Sequence, residues 1–134
     1  MPGPLEAKEA IRDLLAEYCF LIDNDRFAEL AALFTEDGTW DTAFGKGTGR
    51  AGIEALLRKI AALAPTRPRR IHAVSNVVIR LDGARAQVQS NWVVTQNSDQ
   101  GPKIGSGGSY ADELVKRDGR WLFRYRKIDR YIRD

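Results

Sequence analysis

Cysteine and histidine are nearly missing from this sequence. The chain of 134 residues contains one cysteine, Cys19, and one histidine, His72. A lone cysteine excludes an internal disulfide, as is usual in a reducing compartment. One residue of each kind also leaves too few ligands for a zinc site of ordinary spacing. We therefore expect neither a metal nor any other cofactor.

Long apolar runs and a strong charge imbalance are missing too. No stretch approaches the roughly 20 apolar residues that span a bilayer, and the first residues lack the charged and then apolar pattern of a signal peptide. The net charge is only +3, from 21 basic and 18 acidic residues, and no nucleic-acid-binding module is recognisable. These absences predict a cytoplasmic protein that binds neither membranes nor nucleic acid.

The first half of the chain predicts helices. Apolar residues recur at three- and four-residue intervals over residues 7–22, which indicates an amphipathic helix. The pattern then predicts a short second helix over Phe27–Phe34, a turn over Thr35–Gly38, a strand over Thr39–Phe44, and a third helix over Ile53–Ile60 that ends before Pro65.

The second half predicts an antiparallel meander. Four β-rich runs cover residues 70–81, 84–96, 104–116 and 120–132, and Asp-Gly pairs at 82–83 and 118–119 are hairpin signals. Helices followed by a meander predict one α+β domain over residues 1–134, with the helices on one face of the sheet. In the run over residues 70–81, Val74 and Val78 belong to one alternating set and Val77 and Ile79 to the other, so both faces of the strand carry aliphatic side chains. We expect Val77 and Ile79 to lie on the outer face and a second copy of the chain to cover them, in a homodimer or a homotrimer.

The segment Gly47–Gly52 matches the dinucleotide-binding pattern G-x-G-x-x-G. That function requires a βαβ unit and an acidic residue about 20 positions later, and this chain has antiparallel strands and arginines there. We interpret the segment as a loop. A Walker lysine motif and a G-x-S-x-G nucleophile motif are also missing from the sequence.

Two residues are candidates for proton transfer. His72 lies in an apolar strand, and histidine is the side chain whose ordinary pKa is nearest to neutrality. Asp23 lies at the C-terminal end of the first helix, where the helix dipole disfavours an acid. Taken alone, a single histidine on a strand is more often structural than catalytic, and Asp23 is equally well explained as a helix stop.

Short motifs around these two residues occur in an order typical of one family. They are Ala10–Leu14, Tyr18 followed by Asp23, Leu33–Gly38, Arg70–His72 with Ser75–Val77, Gly107–Tyr110 with Asp112, Asp118–Trp121, and Arg130. Together they cover nearly the whole chain, which resembles the SnoaL-like branch of the nuclear transport factor 2-like (NTF2-like) superfamily. The resemblance implies a cone, in which three N-terminal helices pack in the concave face of a strongly curved antiparallel sheet around a pocket.

The resemblance also implies a catalytic site. Tyr18, Asp23 and His72 are similar to the proton-transfer residues of lyase members such as the bile acid 7α-dehydratase, the hexachlorocyclohexane dehydrochlorinase and scytalone dehydratase. An Asp23–His72 dyad would then remove a proton from a small hydrophobic substrate, while Tyr18 donates a hydrogen bond to an oxyanion or leaving group. Arg130 is similar to a C-terminal arginine of the bile acid enzyme and would hold an anionic product or leaving group.

Aromatic residues complete the expected pocket, and two other functions stay open. The apolar wall is expected to include Trp40, Phe44 and Trp92, each of which is equally well explained as core. The chain also resembles the small, non-catalytic subunit of aromatic-ring-hydroxylating dioxygenases. A ketosteroid-isomerase-like enzyme would need a base near Asp41. The spacing puts that position at Thr42, and a shift of one residue turns a strand side chain to the opposite face.

Overall fold

The fold consists of three helices and one six-stranded sheet, and the computed structural model describes residues 3–133. The helices are α1 (Pro4–Asp23), α2 (Phe27–Ala31) and α3 (Gly49–Ala62), and the strands are β1 (Phe34–Thr42), β2 (Gly45–Thr48), β3 (Arg70–Asp82), β4 (Arg85–Ser98), β5 (Gly101–Arg117) and β6 (Arg120–Ile132). This is the α+β layout that the sequence predicts.

The sheet is curved, open and mostly antiparallel. Its strand order is β2-β1-β6-β5-β4-β3, so β3 and β2 form the two edges. The meander from β3 to β6 is antiparallel as predicted, whereas β1 pairs with β6 in parallel, which the sequence analysis did not anticipate. Hairpin turns with a left-handed glycine at Gly83 and Gly119 join the strands, as the two Asp-Gly pairs predict.

The helices pack against the concave face of the sheet. The apolar stripe of α1 is buried at Ile11, Leu14, Leu15 and Tyr18, and it shares one core with the inward residues of the strands. The spacing of these residues places them on a single helix face, so burying that face fixes how α1 lies on the sheet. No described helix is both long and apolar enough to cross a membrane.

The segment after α2 differs from the prediction. The helix ends at Ala31 rather than Phe34, and the predicted turn Thr35–Gly38 lies inside β1. Phe34 and Thr35 are fully buried, and Phe34 pairs with Phe123 of β6. Pairing with a distant strand therefore overrides the local turn preference of this segment.

The glycine-rich segment also forms regular structure rather than a loop. It supplies the end of β2 and the first turn of α3. A Cβ at Gly47 would lie 2.9 Å from the Cα of Ile53, so glycine is required where β2 crosses the start of the helix. This close packing explains Gly47 without a bound phosphate.

A β-bulge at Asn76 reverses the facing of side chains along β3. The pairing with β4 shifts between Ser75 and Val78, and Asn76 adopts a left-handed backbone with φ of 55°. Val74 before the bulge and Val77 and Ile79 after it all pack against the core. The expectation that Val77 and Ile79 lie on the outer face was therefore wrong, because one extra residue changes the alternation.

An ion pair is buried at the centre of the core. Arg126 of β6 and Asp112 of β5 are both inaccessible to solvent, and Nε lies 3.0 Å from Oδ1 without the alignment of a hydrogen bond. The guanidinium lies 3.4 Å from the ring centre of Tyr110, 4.1 Å from that of Tyr18 and 4.6 Å from that of Phe123. Burial raises the pKa of Asp112 to about 6, although the Arg126 charge opposes this shift.

The backbone at Asn76 leads to the first prediction. Asn76→Ala and Asn76→Gly both remove the hydrogen bond from the side chain to Asn91, but only alanine resists the left-handed conformation. We expect Asn76→Ala to have a free energy of unfolding about 1 kcal/mol lower than that of Asn76→Gly. Urea unfolding of both variants measures the difference, and equal stabilities would show that the bulge is not held at this residue.

The buried pair leads to the second prediction. Arg126→Met is expected to lower the free energy of unfolding by about 3–5 kcal/mol at pH 8, because it leaves an unpaired carboxylate in the core. Without Arg126, the pKa of Asp112 rises further above its unfolded value, so the folded protein binds the proton more tightly and the loss grows as the pH rises from about 4.

A second variant controls for lost packing at this position. Adding Asp112→Leu to Arg126→Met removes the stranded charge and should recover more than half of the lost stability, because apolar residues of similar volume replace buried ion pairs well. Urea unfolding at pH 5 and pH 8 measures all three proteins. If Arg126→Met were destabilised equally at pH 5 and pH 8, the electrostatic explanation would be wrong.

Candidate functional site

Asp23 and His72 form a two-point contact. Oδ1 of Asp23 lies 2.6 Å from Nδ1 of the His72 ring, and Oδ2 accepts a hydrogen bond of 2.9 Å from the His72 backbone N–H. Asp23 is the last residue of α1 and His72 lies near the start of β3. The contact expected from the sequence is therefore present, and it leaves Nε2 as the ring nitrogen available to a ligand.

The carboxylate is held in place by the local chain. Arg70 donates a hydrogen bond of 2.6 Å to the carbonyl oxygen of Ile22, the residue before Asp23. Arg70 and Arg67 also both contact the carboxylate of Asp25. Arg70 therefore binds the open end of α1, where carbonyl groups lack helical partners, and fixes the segment that carries Asp23.

A cavity of about 370 Å³ lies beside the imidazole. This volume is within the usual range for small-molecule sites. His72, Trp92 and Tyr110 form a stacked row across three strands, with ring centres about 6 Å apart. The rest of the wall is mainly apolar, and it includes Ile22, Phe27, Leu57, Ile60, Val94 and Ile128.

Tyr18 and Trp40 meet inside this wall. Tyr18 is fully buried, Trp40 nearly so, and the indole Nε1 donates a hydrogen bond of 2.9 Å to the phenol oxygen. Burial raises the pKa of Tyr18 to about 12, against the lowering effects of Arg126 and of this hydrogen bond. The phenol therefore stays protonated at neutral pH.

The other expected residues also line the cavity. Trp92 lies on its floor, Phe44 is exposed at its mouth on the β1–β2 turn, and Arg130 reaches it from β6. Nε of Arg130 is buried and has no hydrogen-bond partner among residues 3–133. The structure thus brings all seven predicted site residues to one place, except that Asp23 lies behind His72 and does not itself line the cavity.

Several lining residues were missed by the sequence analysis. Tyr110 and Arg70 belong to motifs used only for the family resemblance, and Arg67 was given no role. Their signal was weak, since an arginine cluster beside prolines usually marks a surface loop. No acidic side chain lines the cavity within the described part of the chain, whereas Arg67, Arg70 and Arg130 do.

Asp41 lies outside the site. It accepts a hydrogen bond from the Tyr125 hydroxyl and lies 3.8 Å from Lys46, whereas its neighbour Thr42 lines the cavity. The alternation of strand side chains explains this difference. A ketosteroid-isomerase-like mechanism therefore has no carboxylate base at this position.

Comparison with known proteins assigns the chain to a family. The SnoaL-like domain family matches residues 3–127. The chain belongs to the SnoaL-like family. This family is part of the NTF2-like superfamily, whose fold the chain adopts. Comparison with the curated proteins finds no match.

Two solved structures share nearly the whole fold. A protein of unknown function from Mycobacterium tuberculosis is 29% identical, with a TM-score of 0.83 over 96% of this chain and 76% of its own. A Novosphingobium aromaticivorans protein whose name assigns it to the scytalone dehydratases is 28% identical, with a TM-score of 0.78 over 96% and 86%.

A third structure shows the fold alone. A protein named as the beta subunit of an aromatic-ring-hydroxylating dioxygenase, also from Novosphingobium aromaticivorans, is 21% identical, with a TM-score of 0.79 over 94% of this chain and 90% of its own. The fold is therefore shared by proteins with different names, and function has to be argued from the site.

Proposed function

We propose that this SnoaL-like protein is a small-molecule lyase or isomerase in which His72 is the general base. The observation that carries the proposal is the two-point contact of Asp23 with His72 beside an apolar cavity. A carboxylate on Nδ1 holds the ring as the tautomer that carries its free lone pair on Nε2. It also stabilises the imidazolium that forms when Nε2 takes up a proton.

The chemistry that suits this site is removal of a proton from carbon. The substrate would present a C–H bond made acidic by a neighbouring carbonyl group, and Nε2 would accept the proton. The electrons of that bond form an enolate. Expulsion of a β-hydroxyl or halide then completes an elimination, whereas return of the proton to another carbon completes an isomerisation. Both outcomes need the same base.

Tyr18 and Arg130 supply groups for the negative charge that develops. The phenol O–H of Tyr18 can donate to the oxygen of the enolate, because charge is stabilised most where a fixed donor meets a forming anion. Arg130 brings a positive charge, its buried Nε has no hydrogen-bond partner among the described residues, and it would hold an anionic product or leaving group. Trp40, Phe44 and Trp92 would enclose the apolar part of the substrate.

Replacement of the dyad tests this proposal once a substrate is found by screening β-hydroxy-carbonyl and halogenated compounds. His72→Ala should lower kcat by about 10²–10⁴-fold and change substrate binding little, because a base acts mainly in the transition state. Asp23→Asn should cost nearly as much, because it favours the wrong imidazole tautomer. Steady-state and pre-steady-state kinetics separate the two effects.

A matched control lies two residues away. Asp25→Asn makes the same chemical change at a carboxylate that contacts Arg67 and Arg70 but not His72, and asparagine tolerates the left-handed backbone of this position. We expect it to keep most of the activity. Wild-type protein that turns nothing over and co-purifies with a larger iron-containing partner would instead indicate a dioxygenase-type subunit.

We also propose that the protein forms a homodimer or homotrimer. The outer apolar patch, consisting of Ile71, Ala73, Val93 and Ile132, spans β3, β4 and β6 on the face away from the helices, and Ile71 and Ile132 are more than half exposed. A Cβ at Gly107 would touch both Val93 and Ile132, so these side chains are close neighbours. Such a patch is suited to a second copy of the chain.

Sedimentation velocity at micromolar concentration tests the assembly. We expect a mass at least twice the 15.0 kDa of one chain, and Ile71→Lys should shift the protein toward the monomer by placing a charge in the buried interface. Leu5→Lys is the control, because Leu5 is exposed at the start of α1, away from this face. A wild-type monomer would contradict the proposal.

A further inference from the structure

The direction of the Tyr18–Trp40 hydrogen bond follows from chemistry alone. An indole nitrogen has a hydrogen and no lone pair to offer, so it only donates. Nε1 of Trp40 lies 2.9 Å from the phenol oxygen. The Tyr18 oxygen must therefore accept this bond, and its own hydrogen must point elsewhere.

The Tyr18 hydrogen has no acceptor in the described part of the chain. Among residues 3–133, the Tyr18 hydroxyl forms a hydrogen bond with Trp40 alone, although the side chain is fully buried and lines the cavity. A buried donor without an acceptor is unfavourable, and native proteins nearly always satisfy such groups. An acceptor atom of a molecule in the cavity would satisfy it.

The surroundings keep this hydroxyl a donor. Burial raises the pKa of the phenol to about 12, although the Arg126 guanidinium, 4.1 Å from the Tyr18 ring centre, opposes this shift. The hydroxyl keeps its hydrogen across the neutral range, and the ligand atom that gains most from it is an oxygen that carries or develops negative charge.

Trp40 is rigidly placed for this task. In β1 it pairs with Arg126 on one side and with Gly47 on the other, and its side chain is 4% exposed. Two neighbouring strands therefore fix the indole, which in turn fixes the rotation of the Tyr18 hydroxyl.

We propose that Trp40 is a positioning residue, because its indole N–H makes the Tyr18 hydroxyl an obligatory donor. The cavity then selects apolar ligands that carry a carbonyl or enolate oxygen opposite Tyr18. The inference rests on the proposed function only in taking this cavity as the substrate site. It gives Trp40 a role beyond that of an apolar wall and names the feature by which the ligand is recognised.

Two ligands of the same shape test the proposal without turnover. The probes are 2-acetylnaphthalene, whose carbonyl oxygen accepts a hydrogen bond, and 2-isopropenylnaphthalene, in which a CH₂ group replaces that oxygen. Equilibrium dialysis gives the dissociation constant of each. Their ratio, the ketone preference, reports the donor and cancels the apolar contacts that both probes make.

The expected changes in the ketone preference are specific. Tyr18→Phe should lower it about 5- to 10-fold, the equivalent of one net hydrogen bond. Trp40→Phe should lower it about 3-fold or more, because the hydroxyl is then free to turn away. In the Tyr18→Phe background, Trp40→Phe should change it no further, since the group that Trp40 positions is already gone.

Trp92→Phe is the matched control. Trp92 also lines the cavity, but its indole donates to the carbonyl oxygen of Ser109 and not to Tyr18. This change should alter the binding of both probes by a similar factor and leave the ketone preference within about twofold of the wild type. Should Trp40→Phe fail to fold, the benzothienyl analogue of tryptophan at position 40 keeps the shape and removes only the N–H.

The outcomes separate this inference from the proposed function. If Trp40→Phe or the benzothienyl variant had the same ketone preference as the wild type, Trp40 would not position the hydroxyl. If Tyr18→Phe had the same ketone preference as the wild type, Tyr18 would not be the donor. His72→Ala should keep the ketone preference, because His72 takes no part in this contact. The binding result thus holds even if no turnover is ever found.

Discussion

The contact between Asp23 and His72 joins the two halves of the chain at the point where the site begins. Asp23 ends α1, His72 lies two residues into β3, and the carboxylate holds both the backbone and the ring of the histidine. Because the backbone bond fixes the strand and the ring bond fixes the side chain, the imidazole has little freedom left. The row of rings formed with Trp92 and Tyr110 then continues from it across the sheet.

The distribution of charge around this contact favours one kind of ligand. Asp23 lies behind the imidazole, and Asp112 is buried with Arg126 beneath the floor, so both carboxylates are separated from the cavity. Within the described part of the chain, the charged side chains that line the cavity are arginines. In an apolar cavity such charges act at low dielectric, and they favour a substrate that becomes negative over one that becomes positive.

Local patterns predicted most of the fold. The spacing of apolar residues in α1 fixes which face is buried, and the Asp-Gly pairs determine where the meander turns. Both are local properties, so they can be read directly from the chain. The structure of the segment from Leu33 to Gly38 could not be read from the local sequence, because it depends on pairing with β6, nearly ninety residues away.

The periodicity of the sequence could not predict two features of β3 and β6. A bulge needs only one residue in a left-handed conformation, and asparagine at position 76 is a weak signal of it, so Val77 and Ile79 were assigned to the wrong face. Arg126 stands among other charged residues of β6, and nothing local distinguishes the one that is buried. At the site, the resemblance supplied the roles of Tyr18 and His72, whereas their hydrogen-bond partners required coordinates.

These hydrogen-bond partners determine which group at the site accepts and which donates. Asp23 accepts from Nδ1 and so leaves His72 with a free lone pair on Nε2, whereas Trp40 donates to Tyr18 and so leaves the phenol with a free hydrogen. Each neighbour removes one of the two hydrogen-bonding roles that its partner could play. The neutral form of His72 therefore offers the cavity an acceptor, whereas Tyr18 offers it a donor. A substrate with an acidic C–H beside a carbonyl oxygen complements both groups at once, and binding in the reverse orientation would leave both unsatisfied.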